Sequence, residues 1–456
     1  MRLLIAVLFL TSCTKTDHKD LWQAVVVPAA PVSDAAPLSG TIKGTMLAGK
    51  TYTVTGDIII NQGDTLIVQE GVTVKFTGRF GLGVKGSLVC LGTKAQPVNF
   101  TYAGAGKTDT YGYDVNKDSA YKGRWVGIIG GLTCPMMILK WTHVEFGGAK
   151  APDSSAIVQI FKSPYPLFFQ NPGGIFVLED SWIYGSVDDP LRILGGKIAI
   201  YRNVFEKCGY TGGEAMNAKA GTIGNFAYNL CLGMATNGPK LSNSGVAAGV
   251  PGSNVRMYNN TIVNCGYRRA QTGRGGSINF EEGAAGMAYN NIMVNCKFGL
   301  RIVQNPIADT ANIRYGYNYS YADSQSVANN IYPSLNVSVC ITQAMPTDFP
   351  SPSSFLPEGW HAGDTYTAAA AVLGANDPQF VNAPIPMPAG LRLADISFVG
   401  AYNFRLKATS PCVGKGYTDF SPRTDVPVDA KYGVTEITPP GKDLGAYQLN
   451  GSGNQH

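Results

Sequence analysis

Two stretches, "NVRMYNNTIVNCGYRR" and "GMAYNNIMVNCKFGLR", carry one word twice: Tyr-Asn-Asn, four residues, then Cys, at Tyr258 to Cys265 and Tyr289 to Cys296. The same frame fits "IYRNVFEKC" at Tyr201, "AYNLCLGMA" at Tyr228 and "VLEDSWIYG" at Leu178. Two positions on stand Asp180, Asn203, Leu230, Asn260 and Asn291; seven on stand Gly185, Cys208, Ala235, Cys265 and Cys296. A constant core at variable spacing is what stacked coils with loops of unequal length produce. Equivalent residues of a parallel solenoid lie above one another at ~4.8 Å, so each side chain meets a copy of itself. Stacked Asn side chains hydrogen-bond up such a column, and small Cys or Ala fit inside it. The columns are therefore read as structural. Short apolar runs broken by 55 Gly and by Asn and Asp favour many short strands, so the chain should be all-β.

The chain opens "MRLLIAVLFLTSCTKTDHKD", whose apolar run falls short of the ~20 residues a bilayer span needs. Residues 1-12 read as a signal peptide. Leu10-Thr11-Ser12-Cys13 resembles a bacterial lipobox. That resemblance implies a lipid on Cys13, a flexible tether over 13-38 and attachment to the outer membrane. Lys15, Asp17, Lys19 and Asp20 resemble the surface-export signals of Bacteroidota lipoproteins, which implies exposure at the cell surface. A net charge of +5 without a Lys/Arg run argues against nucleic acid as a partner. Eight further cysteines, at 90, 134, 208, 231, 265, 296, 340 and 412, are an even number that permits disulfides in an exported chain. Apolar settings such as "SLVCLG" and "NLCLG" instead suggest small buried hydrophobes for most of them.

"YTVTGDIIINQGDTLIVQEGVTVKFTGRFGLGVKGSLVCLGTKAQPVNFT" resembles the opening coils of the pectin-lyase-like superfamily, as do "RWVGI" and "LKWTHVEFGGA". "DPQFVN", "NFRLKATSPCVGKG" and "DLGAYQ" resemble the last coil and C-terminal cap of exported β-helices of Bacteroidota. The resemblance implies one right-handed parallel β-helix over 39-450, interrupted by an insertion or irregular coil at about 325-372. It specifies fold rather than activity, because the superfamily holds lyases, hydrolases, epimerases, adhesins and structural members.

Between the repeats lie the alternating words "PLRILGG", "AMNAKAG", "PKLSNSG", "SINFEEG" and "GLRIVQN". With their apolar members inward, Arg192, Asn217, Lys219, Lys240, Ser242, Asn279, Glu281 and Arg301 point outward as a polar, mostly cationic stripe. Asp188, Asp189, Glu214, Arg268, Arg269, Arg274 and Glu282 lie in loops beside it. Such a row suits an acidic polysaccharide, whose carboxylates or sulfates pair with Arg. For elimination, Lys219 beside Lys240 is the candidate base of lowered pKa; for hydrolysis, Glu281 pairs with Glu214 or Glu282 across ~5–9 Å. Lys219 and Glu281 are thus the candidate catalytic residues, with elimination ahead of hydrolysis. Arg192, Asn217, Lys240, Arg268, Arg269, Arg274, Asn279 and Arg301 are the candidate substrate contacts. Trp125, Trp141 and Trp182, in strand-like words, are read as core. No cofactor is expected: the four His are dispersed, and Asp188-Asp189 alone is a thin candidate for Ca²⁺. The alternative function is a non-catalytic subunit of an outer-membrane protein complex, which would show an exposed apolar docking patch.

Overall fold

Apolar words of four or five residues become three strands per coil. One coil runs through Thr65–Gln69, Thr73–Phe76 and Gly81–Val84, and Ser87–Leu91 then lies against Thr65–Gln69 in parallel, residue for residue. Repeated, this winding makes a ten-stranded ladder from Gly44–Met46 to Ile313–Gly316 and two further ladders. Those two merge into one 19-stranded sheet because Thr51–Ile60 serves both, pairing with Thr73–Phe76 through its first half and with Leu82–Val84 through its second. The chain is therefore the parallel β-helix that the repeats require. The structure, a computed structural model, describes residues 30–107, 116–161, 165–269, 271, 274–303, 308–321, 377–383 and 402–456. The signal peptide, Cys13 and the insertion at 325–372 lie outside the described residues. Among those that are described, no helix is long and apolar enough to cross a membrane.

The interior is a column of Ile, Val, Leu and Phe with Trp125 stacked on Phe76 at 4.1 Å between ring centroids. Trp141 and Trp182, expected in the core, are only half-buried and lie on the outer side. The seven described cysteines beyond Cys13 are buried, unbridged thiols, and burial pushes Cys208 and Cys412 up to about 12. All seven pack as small apolar fillers, and Cys208 and Cys412 hold too little thiolate at neutral pH to react.

The Asn column is continuous, and the sequence frame departs from the register in two places. Tyr201 pairs with Ala227, and Ala227 with Tyr258, so the frame set on Tyr228 slips by one residue and Asn229, not Leu230, takes the rung. The frame at Leu178 slips likewise, because Glu179 is the partner of Tyr201. Side-chain amides then link Asn203, Asn229, Asn260, Asn291 and Asn318 at 2.9, 3.1, 2.9 and 2.8 Å. Each rung also bonds main chain on both sides: Asn260 donates to Phe226 O and accepts from Asn229 N–H. The residue before each rung turns the corner between two strands at positive φ, from Asp180 (48°) through Asn259 (50°) to Tyr317 (53°). That turn leaves main-chain groups without ladder partners, and the Asn side chain supplies them.

The expected last coil and cap take another form. Phe380–Asn382 pairs antiparallel with Asn403–Leu406 instead of continuing the parallel ladders. From Ser410 the chain doubles back over the outside of the ten-stranded sheet. Asn290 exchanges two hydrogen bonds with the main chain of Tyr417, and Asn225 exchanges two with that of Arg423. Farther along, Lys140 donates to the carbonyls of Asp429 and Ala430. The chain then returns, with Glu179 holding Thr435, Tyr228 donating to Pro439 O at 2.6 Å, and Asn259 donating to Asp443 O. A last pass places Asn454 on the carbonyls of Asn203 and Tyr228 and His456 against Trp141 and His143. The outward side chains here, Tyr201, Tyr258 and Tyr289, are apolar enough to need this cover.

Candidate functional site

Strand alternation sets the stripe. Arg192 stands beside Asn217, Asn217 beside Lys240, Lys240 beside Asn279 and Asn279 beside Arg301, one residue per coil. Their strand neighbours Ile193, Ala218, Leu241, Phe280 and Ile302 point into the core. On earlier coils the same row is apolar, with Gly83, Ile129 and Phe168, so the polar stripe begins abruptly at Arg192. Lys219 aligns with Leu194 in the second outward row, and Glu281 extends it by donating its N–H to Leu241 O. At this boundary the Arg192 guanidinium lies 4.5 Å from the Tyr165 ring centroid.

The stripe is not the open cationic groove expected from sequence. Asn279 is 0% exposed, Arg301 2% and Lys240 7%, and charges are paired within it. Arg192 binds Asp189 through Nε at 2.8 Å. Lys240 Nζ sits 3.5 Å from Glu214 Oε1 and 3.0 Å from Glu281 Oε2, and Arg274 reaches Glu281 at 3.4 Å. Lys219 Nζ donates to Ser244 O, and Arg301 to Gly275 O. The cause is that the loops between ladders bring acids back over the strands, a contact that alternation cannot reveal.

Two of the expected contacts have other work. Arg268 turns into the bend and donates to the carbonyls of Cys208, Gly209 and Gly233 over the Tyr121 ring. Arg269 binds Thr211 O and Gln271, and of the stripe's neighbours it is Arg274 that stays open, with 43% of its side chain exposed.

Asp189, read from sequence only as a loop neighbour, is the hub. It is fully buried and accepts from Arg192 Nε and Nη2, from the Glu214 N–H and from Asn217 Nδ2. One oxygen each of Asp188, Asp189 and Glu214 gather within 4.8 Å. Asp189 already accepts four hydrogen bonds, which occupy the lone pairs that a cation would use. Burial alone would raise the Asp189 carboxyl, yet Arg192 and the Glu214 N–H hold it down. Burial and the Asp189 charge push Glu214 up to about 8 and Asp188 to about 6. Burial, then the Arg192 and Lys240 charges, bring Lys219 down to about 8. Burial would discharge Lys240 and Glu281, and their mutual attraction keeps both ionised. At neutral pH the site thus holds a protonated carboxylic acid, Glu214, beside an ionised one.

That proton has a thermodynamic signature. Between the ordinary glutamate value of 4.5 and about 8, the unfolded chain has released the Glu214 proton while the native chain keeps it. Native then binds more protons than unfolded, so stability falls as pH rises through this window. Denaturant titrations at a series of pH values should show the fall, and Glu214→Gln should flatten it above pH 6, where Asp188 no longer contributes. An equally steep profile in the variant would mean that Glu214 is ionised in the native protein.

No protein family matches the chain, and neither a curated protein nor a solved structure does.

Proposed function

We propose that the chain binds polysaccharide along the outer face of the strands Leu191–Leu194, Met216–Lys219, Pro239–Leu241, Asn279–Phe280 and Arg301–Ile302, and cleaves it there. The lipobox resemblance adds that it does so tethered to the outer membrane through Cys13, on the cell surface. What carries the reading is the concentration of displaced acid–base groups on one face of adjacent coils: Glu214, Asp188 and Lys219 all shifted toward neutrality. The docking-subunit reading has less support, because the exposed large apolar side chains among the described residues are Leu47, Leu132, Val250, Val381, Val428 and Leu449, on separate loops and elements.

Hydrolysis is favoured over elimination. Elimination requires Lys219 as a free amine beside unpaired cations, whereas its Nζ is engaged by Ser244 O and Arg192 and Lys240 have carboxylate partners. Hydrolysis requires a protonated acid and an ionised carboxylate close together. Glu214 gives its proton to the glycosidic oxygen, the C–O bond to that oxygen breaks, and Asp188 receives the anomeric carbon before water replaces it. Oxygens of Asp188 and Glu214 no more than 4.8 Å apart leave too little room between them for the water that inverting enzymes place across a separation of ~6.5–9.5 Å.

The test is to incubate the soluble protein lacking residues 1–20 with acidic and neutral polysaccharides, following reducing ends and ultraviolet absorbance of unsaturated products together. The expected result is new reducing ends without unsaturation, falling by ~10²–10⁴-fold in Glu214→Gln. Unsaturated product lost in Lys219→Ala would establish elimination instead. Failure to bind any polysaccharide would remove the reading altogether.

A further inference from the structure

Two carboxyl groups compete for Lys240 and meet it unequally. Its strand, Pro239–Leu241, lies between Met216–Lys219 and Asn279–Phe280, so Glu214 reaches it from one coil and Glu281 from the other. Lys240 Nζ stands 3.0 Å from Glu281 Oε2, within the normal range of a hydrogen bond, and 3.5 Å from Glu214 Oε1, outside it. Glu281 also receives Asn279 Nδ2 and Arg274 Nη1, whereas Glu214 receives Asn237 Nδ2 at 3.4 Å.

The other groups facing Glu214 are already committed. Asp188 and Asp189 crowd it from one side, one oxygen of each lying within 4.8 Å of one of its own. Arg192 gives Nε and Nη2 to Asp189, and its guanidinium lies over Tyr165, whose hydroxyl burial keeps protonated. Lys219 Nζ is engaged by Ser244 O. Arg274 and Arg301 face Glu281 instead. Lys240 is thus the cation able to decide whether Glu214 keeps its proton, because an opposite charge in contact favours the ionised carboxylate. Glu281 holds that cation back.

We infer that Glu281 is a positioning residue: its carboxylate draws Lys240 away from Glu214 and so leaves Glu214 the proton that hydrolysis spends. The inference rests on the hydrolysis reading above, in which Glu214 is the acid. It gives Glu281 a different task from the catalytic one expected from sequence, since Glu281 touches Lys240 and Arg274 rather than the Asp188–Glu214 pair. Glu281 and Lys240 act at 5% and 7% exposure through their own contacts, so no ligand has to reach them.

Carbon-13 resonances of the glutamate carboxyl groups in the full mature chain, followed against pH, test this. The Glu214 signal, identified by its loss in Glu214→Gln, should titrate at about 8 in the wild-type chain. Glu281→Gln keeps the shape of the side chain and lets Lys240 close on Glu214, so the midpoint should fall by about one pH unit or more. Lys240→Met removes the cation instead, and the midpoint should rise. A structural role alone would admit water and move both variants the same way, toward the ordinary 4.5. A midpoint unchanged or raised in Glu281→Gln, or lowered in both variants, therefore overturns the inference. Should Glu281→Gln fail to fold, Glu281→Asp decides: its shorter carboxylate retracts from Lys240, and a midpoint that does not fall overturns the inference equally. Where reducing ends are released, the alkaline limb of that activity should move to lower pH with the midpoint in Glu281→Gln. Midpoints that move as expected without hydrolysis of any polysaccharide would uphold the control of Glu214 by Glu281 and remove the hydrolysis reading. Hydrolysis with an immobile midpoint would do the reverse.

Discussion

An Asn260→Ala variant is expected to lose about 3 kcal/mol of stability, far more than a side chain of its size costs at a surface. Asn260 is fully buried and serves four groups at once: its amide donates to Phe226 O and Asn291 Oδ1, and its Oδ1 accepts from the N–H and the side-chain amide of Asn229. Alanine leaves the Asn229 N–H buried without a partner, a penalty of ~1–3 kcal/mol, and takes one hydrogen bond each from the Phe226 carbonyl and Asn291 Oδ1. Asn260→Asp should be worse than alanine, because an acceptor oxygen would replace the amide nitrogen that faces Asn291 Oδ1. Urea denaturation of the three proteins measures the differences. A loss below about 1 kcal/mol for alanine would mean that water reaches the ladder.

A chain ending at Ser410 should lose more. The segment that follows covers Tyr201, Tyr258 and Tyr289, and uncovering three such rings costs about 1.5–3 kcal/mol each. It also strips Glu179 and Lys140, buried at 1% and 6%, of their bonds to Thr435, Asp429 and Ala430. The expected total, above about 5 kcal/mol, rivals the whole stability of many domains. The observable result is fast amide exchange throughout the ten-stranded sheet. Slow exchange there, unchanged from the full chain, would show that the coils stand without their cover.

Periodicity is what made the architecture legible. Repeated Tyr-Asn-Asn words revealed stacked coils, and alternation alone put Arg192, Asn217, Lys240, Asn279 and Arg301 in one row, as the pairing has them. The slip at Tyr228 came from following the aromatic residue: there the tyrosine occupies the corner at a φ of 57°, and the ladder position one before it is Ala227. The chemistry was less legible because it depends on loops. Nothing local tells Asp189 from Asp188, yet one is buried under four donors and the other is half-buried. The cover was illegible for a stronger reason. Asn225 and Arg423 are 198 positions apart, and their contact follows no repeat. Uncovered tyrosines on a sheet face were the one available sign that some other segment had to lie there.

The path of the C-terminal segment also orders events in time. A chain made from its N-terminus can wind coil by coil as it emerges, each turn templated by the one before. The ten-stranded face nevertheless stays bare until the final residues emerge, because the groups that close it belong to 417–456 and reach back as far as Lys140 and His143. Synthesis and maturation therefore end together: a molecule stalled or clipped near its end would carry a finished coil and an unfinished surface, and that surface is what a protease would find first.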